Sequence, residues 1–141
     1  MMASRSQGDF QNIALNVLRI MSGFLFVPHG AQKLFGLFGG FGGQPGAAAP
    51  LFSLMGLAGV LEFFGGLAIL VGLFTRPVAF ILAGEMAVAY FMAHVPHGLW
   101  PLLNKGELAA LYCFVFLFLA GAGGGPCSLD ELLRKKRGGG F

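Results

Sequence analysis

The chain has 141 residues, 56% of them hydrophobic and 11% charged, with a formal net charge of +3. That charged fraction is about half of what a soluble domain carries, too little to build a water-facing shell. The composition therefore excludes an ordinary soluble globule and points to a single compact unit in a lipid bilayer, with no length left for a second domain.

The predicted elements follow in chain order. Four apolar stretches lie at about 12–35, 50–74, 77–95 and 105–122, followed by a short tail at 123–141. The first three approach the ~20 residues a helix needs to cross hydrocarbon, and the fourth does so only if Asn104 and Glu107 lie at the interface. The expected fold is all-α, a polytopic membrane four-helix bundle. Ala47-Ala48-Ala49 offers a small-residue cleavage pattern, but it stands some twenty residues past the first apolar run, so that run is read as a retained span.

Between the first two stretches, Gly36 to Ala49 holds six glycines with Phe38 and Phe41 interleaved. No Gly-Lys-Ser/Thr ending follows, so it is read as a flexible surface loop with interfacial aromatics rather than a phosphate cradle. Thr75-Arg76-Pro77 reads as a tight turn with proline opening the third helix. Pro96 to Lys105 is a constrained connection carrying His97, Trp100 and Asn104. After Gly123–Pro126, Ser128 and Glu131 form a capping-box pattern. Leu129, Leu132 and Leu133 then give an apolar stripe before Arg134-Lys135-Lys136-Arg137, an amphipathic turn or two on the membrane surface.

With four spans, the N-terminus, the second connection and the tail share one side. That side holds Arg5, Arg76, Arg134, Lys135, Lys136 and Arg137, against Lys33 and Lys105 on the other. The positive-inside rule then sets both termini in the cytoplasm, N-in and C-in, in the inner or plasma membrane. The basic tail is a topology signal and lipid contact, not a nucleic-acid patch. Cys113 falls inside the fourth span and Cys127 just past it, far apart along the helix axis, so no disulfide is expected.

Charges inside hydrocarbon are costly, on the order of 3 kcal/mol each on insertion scales, and mark candidate functional residues. Arg19, Glu62 and Glu85 lie within the apolar runs. At a rise of ~1.5 Å per residue they fall at roughly similar depths, about 10, 18 and 12 Å from one side, so mutual pairing is expected. Two readings stand: an internal salt bridge that fixes the bundle, or a proton or redox-ligand site with one carboxylate left to titrate. Gly59, Glu62 and Gly66 share a face of the second span, and Arg19, Gly23, Phe26, Gly30 and Lys33 form a stripe on the first.

A second polar group gathers toward the other end: His29, Gln32, Lys33, His94, His97 and Glu107, with Asn104 and Lys105. Glu85 and His94, nine residues apart, are expected on opposite sides of the third helix. No HxxxH or HExxH spacing occurs, so neither a metal nor a haem is predicted. A rim of this kind can hydrogen-bond the carbonyl head of a quinone.

These residues carry a resemblance. Arg19-x-x-x-Gly23, Pro28-His29-Gly30-x-Gln32-Lys33-Leu34-Phe35-Gly36, Glu62-x-x-Gly65-Gly66-Leu67-Ala68, Gly72-Leu73-Phe74-Thr75-Arg76, His97-Gly98 and Asn104-x-Gly106-Glu107 resemble the DoxX family of small four-helix membrane proteins, over roughly residues 13–130. The resemblance implies a quinone-linked or redox-associated setting, as subunits of quinol oxidase or thiosulfate:quinone oxidoreductase complexes. It supplies no catalytic residue, and no complete catalytic or cofactor ligand set is visible in the chain. The expected function is a redox- or quinone-associated subunit working with other membrane-complex subunits or with copies of itself. The alternatives are a non-catalytic accessory subunit that scaffolds a larger assembly, and a small transporter or proton pathway. Against the last, no internal repeat or pair of broken helices is apparent.

Overall fold

The computed structural model describes residues 2–138, and the side chains of residues 6–138. Every regular element among the described residues is helical: α1 (Met2–Phe35), α2 (Leu54–Val71), α3 (Thr75–His97), α4 (Pro101–Asn104), α5 (Glu107–Ala122) and α6 (Leu129–Gly138). Three of them, α1, α2 and α3, are long and apolar enough to cross a membrane. The apolar α5 has 16 residues, about 24 Å of helix against a hydrocarbon core of about 30 Å.

The boundaries differ from the sequence reading where capping chemistry intervenes. α1 begins ten residues ahead of its apolar run, at Met2. Ser53 starts α2, its hydroxyl accepting from the Gly56 amide at 3.1 Å. Between α2 and α3 the turn is made by Gly72–Phe74 rather than by Thr75–Pro77, with Gly72 at φ 73°. Pro77 is thus the third residue of α3, inside the first turn where its missing N–H costs nothing. The glycine-rich connection is not loose either. Phe41 N–H donates to Ala47 at 2.7 Å, Ala49 N–H returns to the Lys33 carbonyl at 2.7 Å, and Phe41–Gly43 forms a 3₁₀ turn.

The helices pack in two close pairs, α1 with α2 and α3 with α5. Glycine decides the first pair. A methyl group on Gly23 would overlap the backbone of Leu70 and Gly66, and one on Gly30 would overlap that of Phe63. Those glycines let two backbones approach where dispersion, not water exclusion, drives association. Between the pairs lies a core of Phe26, Ile69, Ala79, Leu82, Ala83, Met86, Tyr112, Phe116 and Leu119. Outward, Ile13, Phe24, Phe64, Phe80 and Phe114 are among many exposed large apolar side chains, as a lipid-facing surface requires.

Two helices carry a π-turn, Leu61–Gly65 in α2 and Tyr90–His94 in α3. Each fits an extra residue into a turn, rotating later residues by on the order of 100° relative to an unbroken α-helix. The π-turns bear directly on the site.

Candidate functional site

Arg19 does not meet a carboxylate. Its side chain is 1% exposed, and its guanidinium donates only to backbone carbonyls: Ile69 at 2.9 Å, Leu70 at 2.5 Å, Gly124 at 2.7 Å and Cys127 at 2.9 Å. Ile69 and Leu70 belong to the last turn of α2, where the Ile69 carbonyl also accepts from the Gly72 N–H at 3.1 Å, and a cation there complements the helix dipole. The expected pairing of Arg19 with Glu62 and Glu85 is therefore corrected. The long arginine side chain reaches toward the carbonyls at its own end of the bundle rather than inward to the carboxylates.

The same end is closed by two further charges. Arg76 donates to carbonyls at the end of α5, including that of Gly121. The Asp130 carboxylate accepts from Phe74 N–H at 2.7 Å and Thr75 N–H at 2.9 Å, capping α3 from 55 residues away. Sequence reasoning missed Asp130, since only the folded chain brings it to that helix start.

Glu62, 5% exposed, pairs with Lys33 at 2.6 Å, so the buried charge on α2 is met from the end of α1. Glu85 is different. Both its carboxylate oxygens are buried, and among the described residues neither meets a hydrogen-bond donor. Glu85, Glu62 and Lys33 line one cleft of about 540 Å³ together with His29, His94 and Tyr112. The volume falls within the range of small-molecule sites, roughly 300–1,000 Å³. His29 sits edge-on to Tyr112, ring centres 6.2 Å apart. His94 faces the Asn104 carbonyl through Nδ1 at 3.1 Å. His94 and Glu85 line the same cleft, with the π-turn at Tyr90–His94 changing the register at the end of α3.

Apart from Lys105, the rest of the cleft wall is apolar. Leu54, Leu57, Ile81, Val88 and Met92 form its rim on α2 and α3, and each is more than half exposed. These exposed apolar side chains border the cleft along α2 and α3, and exposed Lys105 and Leu108 border it at the start of α5.

Three of the predicted rim residues lie elsewhere. Gln32 donates to the Phe38 carbonyl at 3.0 Å and so pins the first connection. His97 is exposed, its Nδ1 3.2 Å from the Ala93 carbonyl. Glu107 is exposed in the first turn of α5, where a carboxylate complements the positive end of the helix. Among the described residues no three His, Cys, Asp or Glu side chains gather as a metal site.

A bundle of apolar helices meeting through glycine, with this set of charged side chains, matches the DoxX family model over residues 14–95. The chain belongs to the DoxX family. It is 41% identical over 125 residues to an uncharacterized protein of Haemophilus influenzae, covering 86% of this chain and 92% of that one. It is 34% identical over 128 residues to the inner membrane protein YqjF of Escherichia coli, covering 89% of this chain and 96% of that one. No solved structure matches. As a DoxX protein with apolar spanning helices, the chain is a membrane protein residing in the lipid bilayer.

Proposed function

We propose that this DoxX protein is a quinone-associated subunit of a redox complex and that the lateral cleft is where the quinone head binds. The observation that carries the reading is Glu85: a buried carboxyl, with neither oxygen bonded by the described residues, at the base of a lipid-facing apolar cleft. A quinone partitions into hydrocarbon, so a site for it needs apolar access from the bilayer and a few convergent polar groups. Leu57, Ile81, Val88 and Met92 supply the access. Lys33, His29 and His94 are the groups to hydrogen-bond the ring oxygens, and Glu85 is the carboxyl to give or take a proton there. A bound quinone would supply the redox chemistry. The protein's part is to admit the ring, orient it and handle the proton.

In the same reading α5 is the fourth span, with Lys105 and Glu107 at the headgroups, and both termini are cytoplasmic. The partner is another subunit of the membrane complex or a second copy of the chain. If the cleft takes no quinone, the reading that replaces it is an accessory subunit whose bundle scaffolds the assembly.

The test is mild-detergent purification of the protein and of its Glu85→Gln and Lys33→Met variants from membranes, with quinone extracted and quantified and co-purifying chains identified. Near-stoichiometric quinone in the wild type, falling about tenfold in either variant, is the expected result, equivalent to the ~1.4 kcal/mol of one well-placed polar contact. Partner chains without quinone in the wild type would remove the quinone reading and leave the scaffold.

A further inference from the structure

α6 has two faces with different jobs. Leu129, Leu132, Leu133 and Lys136 recur at i, i+3, i+4 and i+7 and so share one stripe. The three leucines are 38%, 50% and 43% exposed, so the bundle does not cover them. The start of the helix is fastened to the bundle. Asp130 caps α3 through its carboxylate, and its own N–H donates to the Gly72 carbonyl at 2.9 Å. Just ahead, Ser128 packs its Cβ so tightly over Gly72 that any side chain at 72 would collide with it. Arg19 holds the Cys127 carbonyl and Asn16 accepts from the Cys127 N–H at 3.2 Å. α6 is therefore fixed at the level where α3 leaves its turn and the apolar spans begin.

The charges are sorted along that fixed helix. Asp130 is engaged with backbone amides, and Glu131 is held by Arg134 at 2.8 Å and approached by Lys135 at 3.7 Å. The Arg134 hydrogen bonds, with the nearby positive charges, keep the Glu131 carboxyl below the usual carboxylate range. Lys136 and Arg137 make no ion pair among the described residues. Four cations against two acids leave a surplus of positive charge in the last turn, next to an uncovered leucine stripe.

We propose that α6 is a binding surface for the headgroups of acidic phospholipids in the leaflet at this end of the bundle. The leucine stripe seats at the boundary between headgroups and acyl chains, and the cations of the last turn meet lipid phosphates. A zwitterionic headgroup would present an ammonium beside each phosphate and cancel much of that attraction, so an acidic lipid is the complement of this surface. A soluble polyanion would satisfy the cations and leave the leucines in water. Because the latch ties α6 to the start of α3, a lipid bound here stabilises the whole bundle by mass action.

The experiment places the protein in nanodiscs of phosphatidylcholine alone, or of phosphatidylcholine and phosphatidylglycerol in equal parts. Lipids retained after detergent exchange are quantified, and thermal midpoints are recorded. The wild type is expected to retain phosphatidylglycerol on the order of tenfold over phosphatidylcholine and to melt higher in the mixed disc, both effects shrinking with added salt. The Lys136→Gln/Arg137→Gln variant spares the Glu131 contacts, and is expected to lose most of the preference while melting like the wild type in phosphatidylcholine. Equal retention of the two lipids by the wild type overturns the proposal. So does a preference that survives both this variant and one in which Arg134 and Lys135 are also glutamine, since the acidic lipid would then sit elsewhere on the bundle. The outcome is independent of whether the cleft takes a quinone.

Discussion

The two ends of this bundle treat buried charge in opposite ways. At the end carrying α6, buried Arg19, exposed Arg76 and half-buried Asp130 each meet backbone carbonyls or amides at a helix terminus. The signs agree with the helix dipoles, cations at the ends of α2 and α5 and a carboxylate at the start of α3. Toward the other end, Lys33 and Glu62 satisfy one another, and Glu85 is left with both oxygens unbonded by the described residues. Both ends bury ionisable side chains, yet only one uses all of them for the fold. A residue retained in the interior with its hydrogen-bonding capacity unspent contributes no hydrogen bond to the bundle, and that is the observation behind the proposed quinone site.

The comparison breaks most readily at Arg19. Arg19→Ala strips a donor from four carbonyls at once in a buried site. We expect a loss of about 3 kcal/mol or more, since each buried carbonyl left without its donor costs about 1–3 kcal/mol, read as poor membrane yield and a large drop in thermal midpoint. Arg19→Lys retains the charge but not the fork, and should recover only part of that loss. A stable Arg19→Ala protein with altered quinone content would reverse the assignment of the two ends.

Asp130→Ala tests the same end with a smaller effect. It removes the cap of α3 and one fastening of α6, and helix caps of this kind contribute about 1 kcal/mol. The expected result is a modest fall in thermal midpoint with faster amide exchange confined to Phe74, Thr75 and the start of α6. Unchanged exchange at those amides would show that the latch holds without the carboxylate.

How much of this was legible in the sequence follows from the kind of partner each residue found. The apolar runs announced the spans, because length and hydropathy are local properties. The stripe of Gly23 and Gly30 with the small residues of α2 was legible too, since helical spacing alone places them on facing sides. Arg19 was misread because its acceptors are main-chain carbonyls, which every residue carries and no sequence displays. Asp130 was missed for the same reason, its partners being the amides of Phe74 and Thr75. Lys33 stood on the α1 stripe but was assigned to the rim, since nothing local linked it to Glu62, 29 residues on. The π-turn at Tyr90–His94 shifts the register at the end of α3, and no proline or glycine within Tyr90–His94 signals it. The residues of the site were thus visible as types, and their grouping was set by register.

The least destabilising change should fall at the residue with the largest proposed role. Glu85 gives the bundle no hydrogen bond from the described residues, and glutamine keeps its shape while removing any net charge from a buried position. Burying a carboxylate without a partner opposes folding, so Glu85→Gln is expected to leave the thermal midpoint within about 0.5 kcal/mol of the wild type, or to raise it. The same substitution at Glu62 would be costly, since it leaves the Lys33 ammonium without its counter-charge in the interior. Thermal melts of the two variants in one detergent decide the matter. Near-neutral Glu85→Gln beside destabilised Glu62→Gln separates a functional carboxyl from a structural one on the same cleft wall. Equal destabilisation would mean that Glu85 has a partner within the bundle, and would take away the observation on which the quinone site rests.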